Sequence, residues 1–319
     1  MMAADMERAL TIRGLTKHYP SRQGVVRAVD GLDLDVPAGG VFGFLGANGA
    51  GKTTTIRAIV GHLKATSGSI EVLGLDVPRR LGDVIDRVGA LVEQPQFFPG
   101  FTGRRNLALL AASRGFPKSR VDEVLDIVSL TERADRRYST YSLGMKQRLG
   151  VASVLLKRPD LLILDEPANG LDPAGIIEMR ELVRALGAQG NTVFVSSHLL
   201  SEIEQTCDRV GIVDRGRIVS VGRVDELLKA GSSRYTVKVP GGVEARDRAM
   251  GVLTAHGWTV ALDDDGDAVV DVEPERAHEI TRWLASEGLY VNELTPVTRT
   301  LEEAFLAITG TTPHTGATP

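Results

Sequence analysis

Apolar and polar side chains alternate in the first part of the chain, as they do in a strand with one buried face. The alternation is clearest from Leu32 to Val36, which reads Leu-Asp-Leu-Asp-Val. The segment from Pro37 to Gly40 follows directly, and proline and glycine in such a segment favour a turn that ends a strand. We therefore predict β structure from Leu10 to Val36.

Short apolar runs without alternation occur further along the chain. Val41 to Leu45, Leu161 to Leu164 and Thr192 to Val195 are of this kind, which favours strands buried on both faces of a parallel sheet. A fourth run, Val88 to Val92, leads into Glu93. Polar residues directly follow all of these runs except the first, and the carboxyl ends of parallel strands form the ligand-binding edge of an α/β sheet.

Helical periodicity dominates from about residue 95 to residue 158. Two helices are predicted there, from Asn106 to Arg114 and from Arg120 to Leu130. Ser119 has the right chemistry and position for the N-cap of the second helix. We expect these residues to form a helical subdomain attached to the sheet.

Two further helix starts are marked by good N-cap residues. Ser142 precedes a stretch in which Met145, Leu149, Ala152 and Leu156 share one face, so the third helix should begin there. Asp172 is followed by a proline, which suits the first position of a helix. That helix is predicted to run to about residue 186 and to end before a glycine.

The composition changes at Gly231, and we place a domain boundary there, giving domains at residues 1–230 and 231–309. The pattern after the boundary has the order β-α-β-β-α-β-α, which suits a small ferredoxin-like α+β unit. The predicted elements run over Tyr235–Val239, Glu244–His256, Trp258–Leu262, Ala268–Val272, Pro274–Glu287, Tyr290–Leu294 and Leu301–Ile308. Residues 310–319 form a polar tail that we predict to be disordered.

The glycine-rich segment after the first buried run carries the strongest chemical signal. From Gly46 to Thr53 it fits G-x-x-x-x-G-K-[ST], a loop whose backbone N–H groups and following helix bind nucleotide phosphates. Lys52 would reach the outer phosphates and the Thr53 hydroxyl would bind Mg²⁺. The residues expected to contact the nucleotide here are Gly46, Asn48, Gly49, Ala50, Gly51, Lys52, Thr53 and Thr54.

Three polar side chains are expected near this loop, at the ends of other strands. Asp165 and Glu166 end an apolar strand, where one acid can hold Mg²⁺ and the other can take a proton from an attacking water. His198 ends the next strand, and on the residues alone it is either a structural histidine or part of the site. Tyr19 is either an aromatic that stacks on a purine or a half-buried loop tyrosine.

Bulk composition limits the possible classes of protein. The formal net charge of −4 shows no basic excess, so nothing indicates a nucleic-acid partner. No apolar stretch approaches the roughly 18 to 20 residues that span a bilayer, so any membrane spans must come from another chain. A single cysteine, Cys207, leaves no internal disulfide and agrees with a reducing cytoplasm.

Taken together, these motifs resemble the ATP-binding subunit of an ABC transporter over about residues 8 to 230. The glycine loop and the strand ending in Asp165 and Glu166 match that family's two Walker motifs. Residues 142–148, Ser-Leu-Gly-Met-Lys-Gln-Arg, look like its signature sequence, residues 169–172 like its D-loop, and His198 like its switch histidine. The resemblance implies a P-loop sheet with a β subdomain and a helical subdomain, binding ATP and Mg²⁺.

The family resemblance also assigns roles. It implies that Tyr19 stacks on adenine, that Glu166 acts as the base and that His198 senses the γ-phosphate. It places Ser142 and Gly144, with the D-loop residue Asp172, against nucleotide in a dimer of two such subunits. The helix that Ser142 caps can reach a γ-phosphate only in the other subunit, because its own glycine loop belongs to a different subdomain.

Two departures from the usual family pattern narrow the resemblance. Leu143 and Met145 replace the signature glycine and glutamine, and Glu93 stands where most members have the Q-loop glutamine, with Gln94 one place later. A glutamate there is similar to the bacitracin- and lantibiotic-resistance exporters. The chain from residue 301 to 310 looks like the tail of drug-exporting relatives.

The implied function is hydrolysis of ATP by a peripheral subunit at the cytoplasmic face of the membrane. Its partners would be separate transmembrane permease subunits and a second ATP-binding subunit, the same or different. Glu93 is expected to work with Glu166 and His198 in catalysis. The alternative is a non-transport ABC ATPase that acts on nucleic acid or ribosomes. The transported molecule is not encoded in these residues.

Overall fold

The computed structural model describes residues 8–21, 24–93, 96–229, 234–263 and 265–297. The predicted helix from Leu301 to Ile308, the tail at 310–319, the boundary residue Gly231 and the Q-loop candidate Gln94 lie outside the described residues. The chain divides into two compact units between Val224 and Asp225, whereas the sequence places its boundary at residue 231.

The first unit contains ten of the strands that we number in chain order. They are β1 (Arg8–Ser21), β2 (Gly24–Pro37), β3 (Gly40–Leu45), β4 (Ser67–Val72), β5 (Leu75–Val77), β6 (Val88–Leu91), β7 (Leu161–Asp165), β8 (Thr192–Ser197), β9 (Arg209–Asp214) and β10 (Arg217–Arg223). The helices are α1 (Lys52–Ile59), α2 (Leu81–Val84), α3 (Gly103–Ser113), α4 (Ser119–Ile127), α5 (Leu143–Leu155), α6 (Pro173–Ala188), α7 (Leu200–Thr206) and α8 (Val224–Lys229), which begins at the division. Short 3₁₀ helices occupy Ile85–Arg87, Thr131–Arg133 and Tyr138–Thr140.

Two sheets organise this unit. An antiparallel sheet has the order β2-β1-β4-β5, and a six-stranded sheet has the order β10-β9-β3-β8-β7-β6, parallel except for β10. The alternating stretch lies in β2 as predicted and pairs with β1, where Leu34 is opposite Ile12 and both side chains are buried. The unbroken apolar runs form β3, β6, β7 and β8, and Phe44 and Phe194 are fully buried. Two predictions are therefore confirmed: the alternating stretch is a strand with one buried face, and the unbroken apolar runs are strands of a parallel sheet.

Two helices, α5 and α6, begin directly after the N-cap residues predicted for them. The Oγ atom of Ser142 accepts a hydrogen bond from the amide of Met145, and Asp172 Oδ1 accepts one from the amide of Gly175, so both predicted N-caps are confirmed. Ser119 is wrong as a cap, because Lys118 occupies that position and Ser119 is already helical. Local residue type did not decide this helix start.

Several predicted boundaries differ from the structure, and the helix predicted to run to Leu130 ends at Ile127. The helix predicted from Asn106 begins at Gly103, because Thr102 caps it by accepting from the amide of Arg105. α6 continues through Gly187, where a Cβ atom would lie 2.7 Å from Val41 Cγ2. Glycine therefore permits close packing of α6 on β3. β6 ends at Leu91 rather than continuing to residue 92.

The second unit contains β11 (Arg234–Lys238), α9 (Gly242–Ala255), β12 (Thr259–Leu262), β13 (Ala268–Asp271), a 3₁₀ helix (Pro274–Arg276), α10 (Ala277–Ser286) and β14 (Glu293–Pro296). Its antiparallel sheet has the order β12-β13-β11-β14, which is the ferredoxin-like arrangement. The core includes Val237, Leu253, Val270 and Ile280. The last strand, predicted from residue 290, begins at Glu293, and Leu289, just before the predicted start, is buried in the core.

Candidate functional site

Glycines shape the loop between β3 and α1. Gly51, the N-cap of α1, has a φ of 105°, and a Cβ atom there would lie 2.5 Å from the carbonyl oxygen of Ala28. A Cβ atom on Gly46 would lie 2.5 Å from the carbonyl oxygen of Val213. The loop therefore lies against β2 and β9 without side chains at these points. A close-packed glycine loop that ends at a helix N-terminus is an arrangement that binds phosphate.

Lys52 is the first residue of α1 and is only 6% exposed. Its Nζ atom donates to the carbonyl oxygen of Gly46 at 2.6 Å and to that of Ala47 at 3.3 Å. The same atom lies 3.1 Å from Oε1 of Glu166. A buried ammonium group requires such acceptors. The carboxylate of Glu166 therefore compensates the positive charge of Lys52, which is the charge expected to bind a phosphate.

Glu166 follows β7 and is held on several sides. Its φ of 49° is in the left-handed region, which is uncommon for a residue with a side chain. Its Oε2 atom lies 2.7 Å from Nδ1 of His198. Its amide donates to Ser196 Oγ at 3.0 Å, and that hydroxyl donates to Asp165 Oδ1 at 2.5 Å. Ser196 therefore holds both acids at the end of the sheet, a role that was not predicted from the sequence.

One open cleft collects most of the predicted phosphate-binding residues. It is lined by Ala28, Asn48, Gly49, Gly51, Lys52, Thr53, Thr54, Glu166, Asn169 and His198. Sequence reasoning did not select Ala28 or Asn169 as site residues. Asn169 could have been predicted, because it lies in the segment that resembles a D-loop. Ala28 could not, because nothing about an alanine at that position indicates a ligand site.

Other predicted residues lie outside this lining. Ala50 is buried, Gly46 lies two positions before the lining residue Asn48, and Asp165 directly precedes Glu166. Tyr19 lies on β1 opposite Val26, is 38% exposed, and has the Nζ atom of Lys17 at 5.0 Å from its ring centroid. An exposed aromatic ring can stack on another ring, but the structure does not bring Tyr19 into the phosphate cleft.

Glu93 is placed differently from the sequence expectation. Its carboxylate lies 3.0 Å from Arg57 Nη2, and its side chain is 76% exposed. It is not among the residues that line the phosphate cleft. The physical reason is that β6 ends at Leu91, which leaves Glu93 in a bend where the guanidinium of α1 is the available charge partner.

The signature-like residues line a separate cleft. Ser142, Gly144 and Asp172 contribute to it, together with Arg148 and Glu178. Arg148 joins α5 to α6, because its Nη2 atom lies 3.0 Å from the carboxylate of Glu178. This lining shares no residue with the phosphate cleft. The signature-like helix N-terminus and the glycine loop therefore do not face one cleft within this chain.

The donor set near the glycine loop fits Mg²⁺ bound together with a nucleotide. Within the described ranges, no group of three or more His, Cys, Asp or Glu side chains could hold a metal. Mg²⁺ in phosphate sites takes one or two protein oxygens, and substrate phosphates and waters complete its shell. The Thr53 hydroxyl and the Asp165 carboxylate are ligands of that type, so both residues fit the metal.

No helix in the described part of the chain is both long enough and apolar enough to cross a bilayer. The fold and the cleft define a class: a P-loop protein in which a glycine loop, an acid pair and a histidine meet at the edge of a parallel sheet. Comparison with known proteins gives the family. The ABC transporter family matches residues 29–169.

Similarity to curated relatives covers nearly the whole chain. The chain is 40% identical over 305 residues to YdbJ of Bacillus subtilis, an uncharacterized ABC transporter ATP-binding protein, covering 95% of this chain and 96% of the relative. It is 38% identical over 300 residues to the bacitracin transport ATP-binding protein BcrA of Bacillus licheniformis, covering 93% and 95%. It is 36% identical over 318 residues to the daunorubicin/doxorubicin resistance ATP-binding protein DrrA of Streptomyces peucetius, covering 97% and 94%.

Solved structures show the same fold. The structure of cbiO1 from Clostridium perfringens, part of the ABC transporter complex cbiONQ, is 25% identical with a TM-score of 0.63, covering 79% of this chain and 98% of that chain. The ADP conformation of the ATP-binding cassette MJ1267 is 23% identical with a TM-score of 0.62, covering 70% and 96%.

The chain belongs to the ABC transporter family as an ATP-binding subunit, and its activity is the hydrolysis of ATP to power transport. The resemblance found in the sequence is thereby confirmed, as is the fold class. The alternative of an ATPase that acts on nucleic acid or ribosomes finds no support in these relatives.

Proposed function

We propose that this subunit drives export of drugs or peptide antibiotics through separate transmembrane permease subunits, at the cytoplasmic face of the membrane. The named relatives support the proposal, because a bacitracin transport subunit and a daunorubicin/doxorubicin resistance subunit match this chain over 93% and 97% of its length. The observation that carries the catalytic part is the position of Glu166, in contact with both Lys52 and His198.

The contacts suggest how ATP would engage the site. A triphosphate carries more negative charge than one carboxylate and would compete with Glu166 for Lys52. Glu166 would then remain against His198 with one oxygen available to accept a proton from water. Mg²⁺, held through Thr53 and Asp165, would neutralise phosphate charge when bound. His198 would orient Glu166 and report the γ-phosphate.

Two ATP-binding subunits would complete each site. The signature-like cleft with Ser142, Gly144 and Asp172 shares no lining with the phosphate cleft of the same chain. In a head-to-tail pair, the N-terminus of α5 from one subunit would meet the nucleotide on the other. A helix N-terminus favours an anion, so ATP would join the two surfaces. The pair could consist of two copies or of this chain and a homologue.

The experiment begins with the membrane partner. The tagged chain is purified from membranes of its host, and the hydrophobic chain that accompanies it is identified. The two are then expressed together in a drug-sensitive strain, and tolerance of bacitracin and daunorubicin is measured. Export predicts raised tolerance of one of these compounds, loss of it in Lys52→Ala, and retention of it in Lys64→Ala, since Lys64 is exposed. Unchanged tolerance with an assembled, ATP-hydrolysing complex would contradict this substrate class.

A further inference from the structure

We propose that Glu202 is a positioning residue for ATP hydrolysis, which acts through Ser197 to hold His198 against Glu166. The inference rests on the catalytic roles proposed above for His198 and Glu166. Glu202 lies on α7 and is not among the residues that line the phosphate cleft. Its influence would be exerted through the chain segment that carries His198.

Ser197 connects Glu202 to that segment. Ser197 ends β8 and is 2% exposed. Its Oγ atom donates to Glu202 Oε2 at 3.0 Å and accepts from the amide of Leu199 at 3.0 Å. Its carbonyl oxygen accepts from the amide of Gly46 at 3.3 Å. The residue before His198 is therefore fixed to α7, to the residue after His198 and to the first glycine of the loop.

The environment of Glu202 is unusual for a residue with only a structural task. Its Oε1 atom is buried and has no hydrogen-bond partner within the described ranges. The small cavity beside it is lined largely by apolar side chains, among them Met179, Val183 and Ile203. Burial raises the pKa of Glu202, and the hydrogen bond from Ser197 opposes this shift. An apolar side chain would occupy this buried position at a lower cost in free energy than a carboxyl group with an unpaired oxygen.

The cavity also borders the segment that follows Glu166. Pro167 and Ala168 contribute to its lining, so Glu202 lies between the chain after Glu166 and the chain that carries His198. Glu166 and His198 lie 2.7 Å apart, and a chain neighbour of each, Pro167 and Ser197, lines the same cavity as Glu202. Loss of the Glu202 side chain would release the Ser197 hydroxyl and allow the His198 loop to shift.

The test measures steady-state ATP hydrolysis by the full-length chain. Glu202→Ala is expected to lower kcat about tenfold while KM for ATP changes less than about twofold, because the hydrogen bond that holds Ser197 is lost away from the nucleotide. Ser197→Ala should have a similar effect, and Glu202→Gln, which retains an acceptor, should recover most of the rate. Glu181→Gln removes an exposed carboxylate from α6 and should leave kcat unchanged.

A second series separates this inference from the proposed roles. In a His198→Ala background, adding Glu202→Ala should cause no further loss of kcat, because the group that Glu202 positions is gone. An equal further loss would overturn the inference. So would a normal kcat for Glu202→Ala when His198→Ala is slow. If His198→Ala itself hydrolyses ATP at the normal rate, the role proposed for His198 fails first. If Glu202→Ala does not fold, Ser197→Ala, which lacks only a hydroxyl, carries the test.

Discussion

The Oε2 atom of Glu166 lies 2.7 Å from Nδ1 of His198, while Oε1 of the same carboxylate lies 3.1 Å from the ammonium of Lys52. One acid therefore bridges Lys52, the lysine proposed to bind phosphate, and the histidine at the end of β8. A phosphate that took the place of Glu166 at Lys52 would leave the carboxylate in contact with His198. This arrangement explains how one residue could compensate charge before ATP binds and act as a base afterwards.

The N-cap of α5 gives a prediction about stability. Ser142→Ala removes the hydroxyl that accepts from the amide of Met145, and loss of such a cap costs about 1 kcal/mol. The free energy of unfolding from urea titration should fall by about that amount. Ser119→Ala is the matched control, because Ser119 lies inside α4 and makes no capping bond. A larger loss for Ser119→Ala than for Ser142→Ala would contradict the assigned helix starts.

Glu93 is predicted to couple hydrolysis to transport. Its carboxylate pairs with Arg57 at an exposed site, and exposed ion pairs are weak. A bound metal ion would attract the carboxylate and the γ-phosphate would repel it, so its preferred position should change when phosphate charge is lost. Glu93→Gln should leave the Kd for ATP within about a few-fold, because the phosphate ligands remain. It should reduce efflux and the stimulation of ATPase by the membrane partner. Gln94→Ala should do less.

The comparison of the two variants also tests the register of the Q-loop. If Gln94→Ala proves more damaging to efflux than Glu93→Gln, Gln94 is the equivalent of the family glutamine. Arg57→Gln is a further control. It removes the partner of Glu93 and should leave coupling intact if the carboxylate acts at the nucleotide.

The single thiol is predicted to be unreactive in the folded protein. Cys207 is buried, and burial raises the pKa of its thiol, which leaves little of the reactive thiolate. Modification by a colorimetric disulfide reagent near pH 8 should be at least about 100-fold slower for the native chain than for the chain in denaturant. Equal rates would show that α7 and β3 do not enclose this side chain.

The second unit is predicted to be accessory to nucleotide binding. None of the nucleotide motifs lies within it, and the described residues of its core, such as Val237 and Ile280, belong to this unit. A chain that ends at Gly231 should therefore bind ATP with a Kd close to that of the full chain, as measured by calorimetry. Loss of binding by a truncation that circular dichroism shows to be folded would contradict this division.

Local chemistry explains what the sequence could predict. The glycine loop, the cap residues Ser142 and Asp172 and the unbroken strand β7 act over a few neighbouring residues. Their side-chain and backbone preferences could therefore be predicted from the sequence alone. The order of elements in the second unit was visible for the same reason, and its sheet has the ferredoxin-like order.

Contacts between distant residues explain what the sequence could not predict. Ser196 was not selected because its role depends on Asp165, which precedes it by 31 positions. Glu93 was expected at the metal because its partner Arg57, 36 positions earlier, could not be inferred from spacing. The start of α4 was missed because Lys118 takes the cap position although serine is the better cap by type.

Glu166→Gln tests the central claim most directly. The substitution keeps the size of the side chain and removes the proton acceptor. ATP should bind with a Kd within about a few-fold of the normal value, while kcat falls at least about 100-fold. Gel filtration with ATP should then show a stable dimer, and Glu181→Gln should hydrolyse ATP normally. Turnover by Glu166→Gln close to that of the unmodified chain would contradict the account and remove Glu166 from the base role.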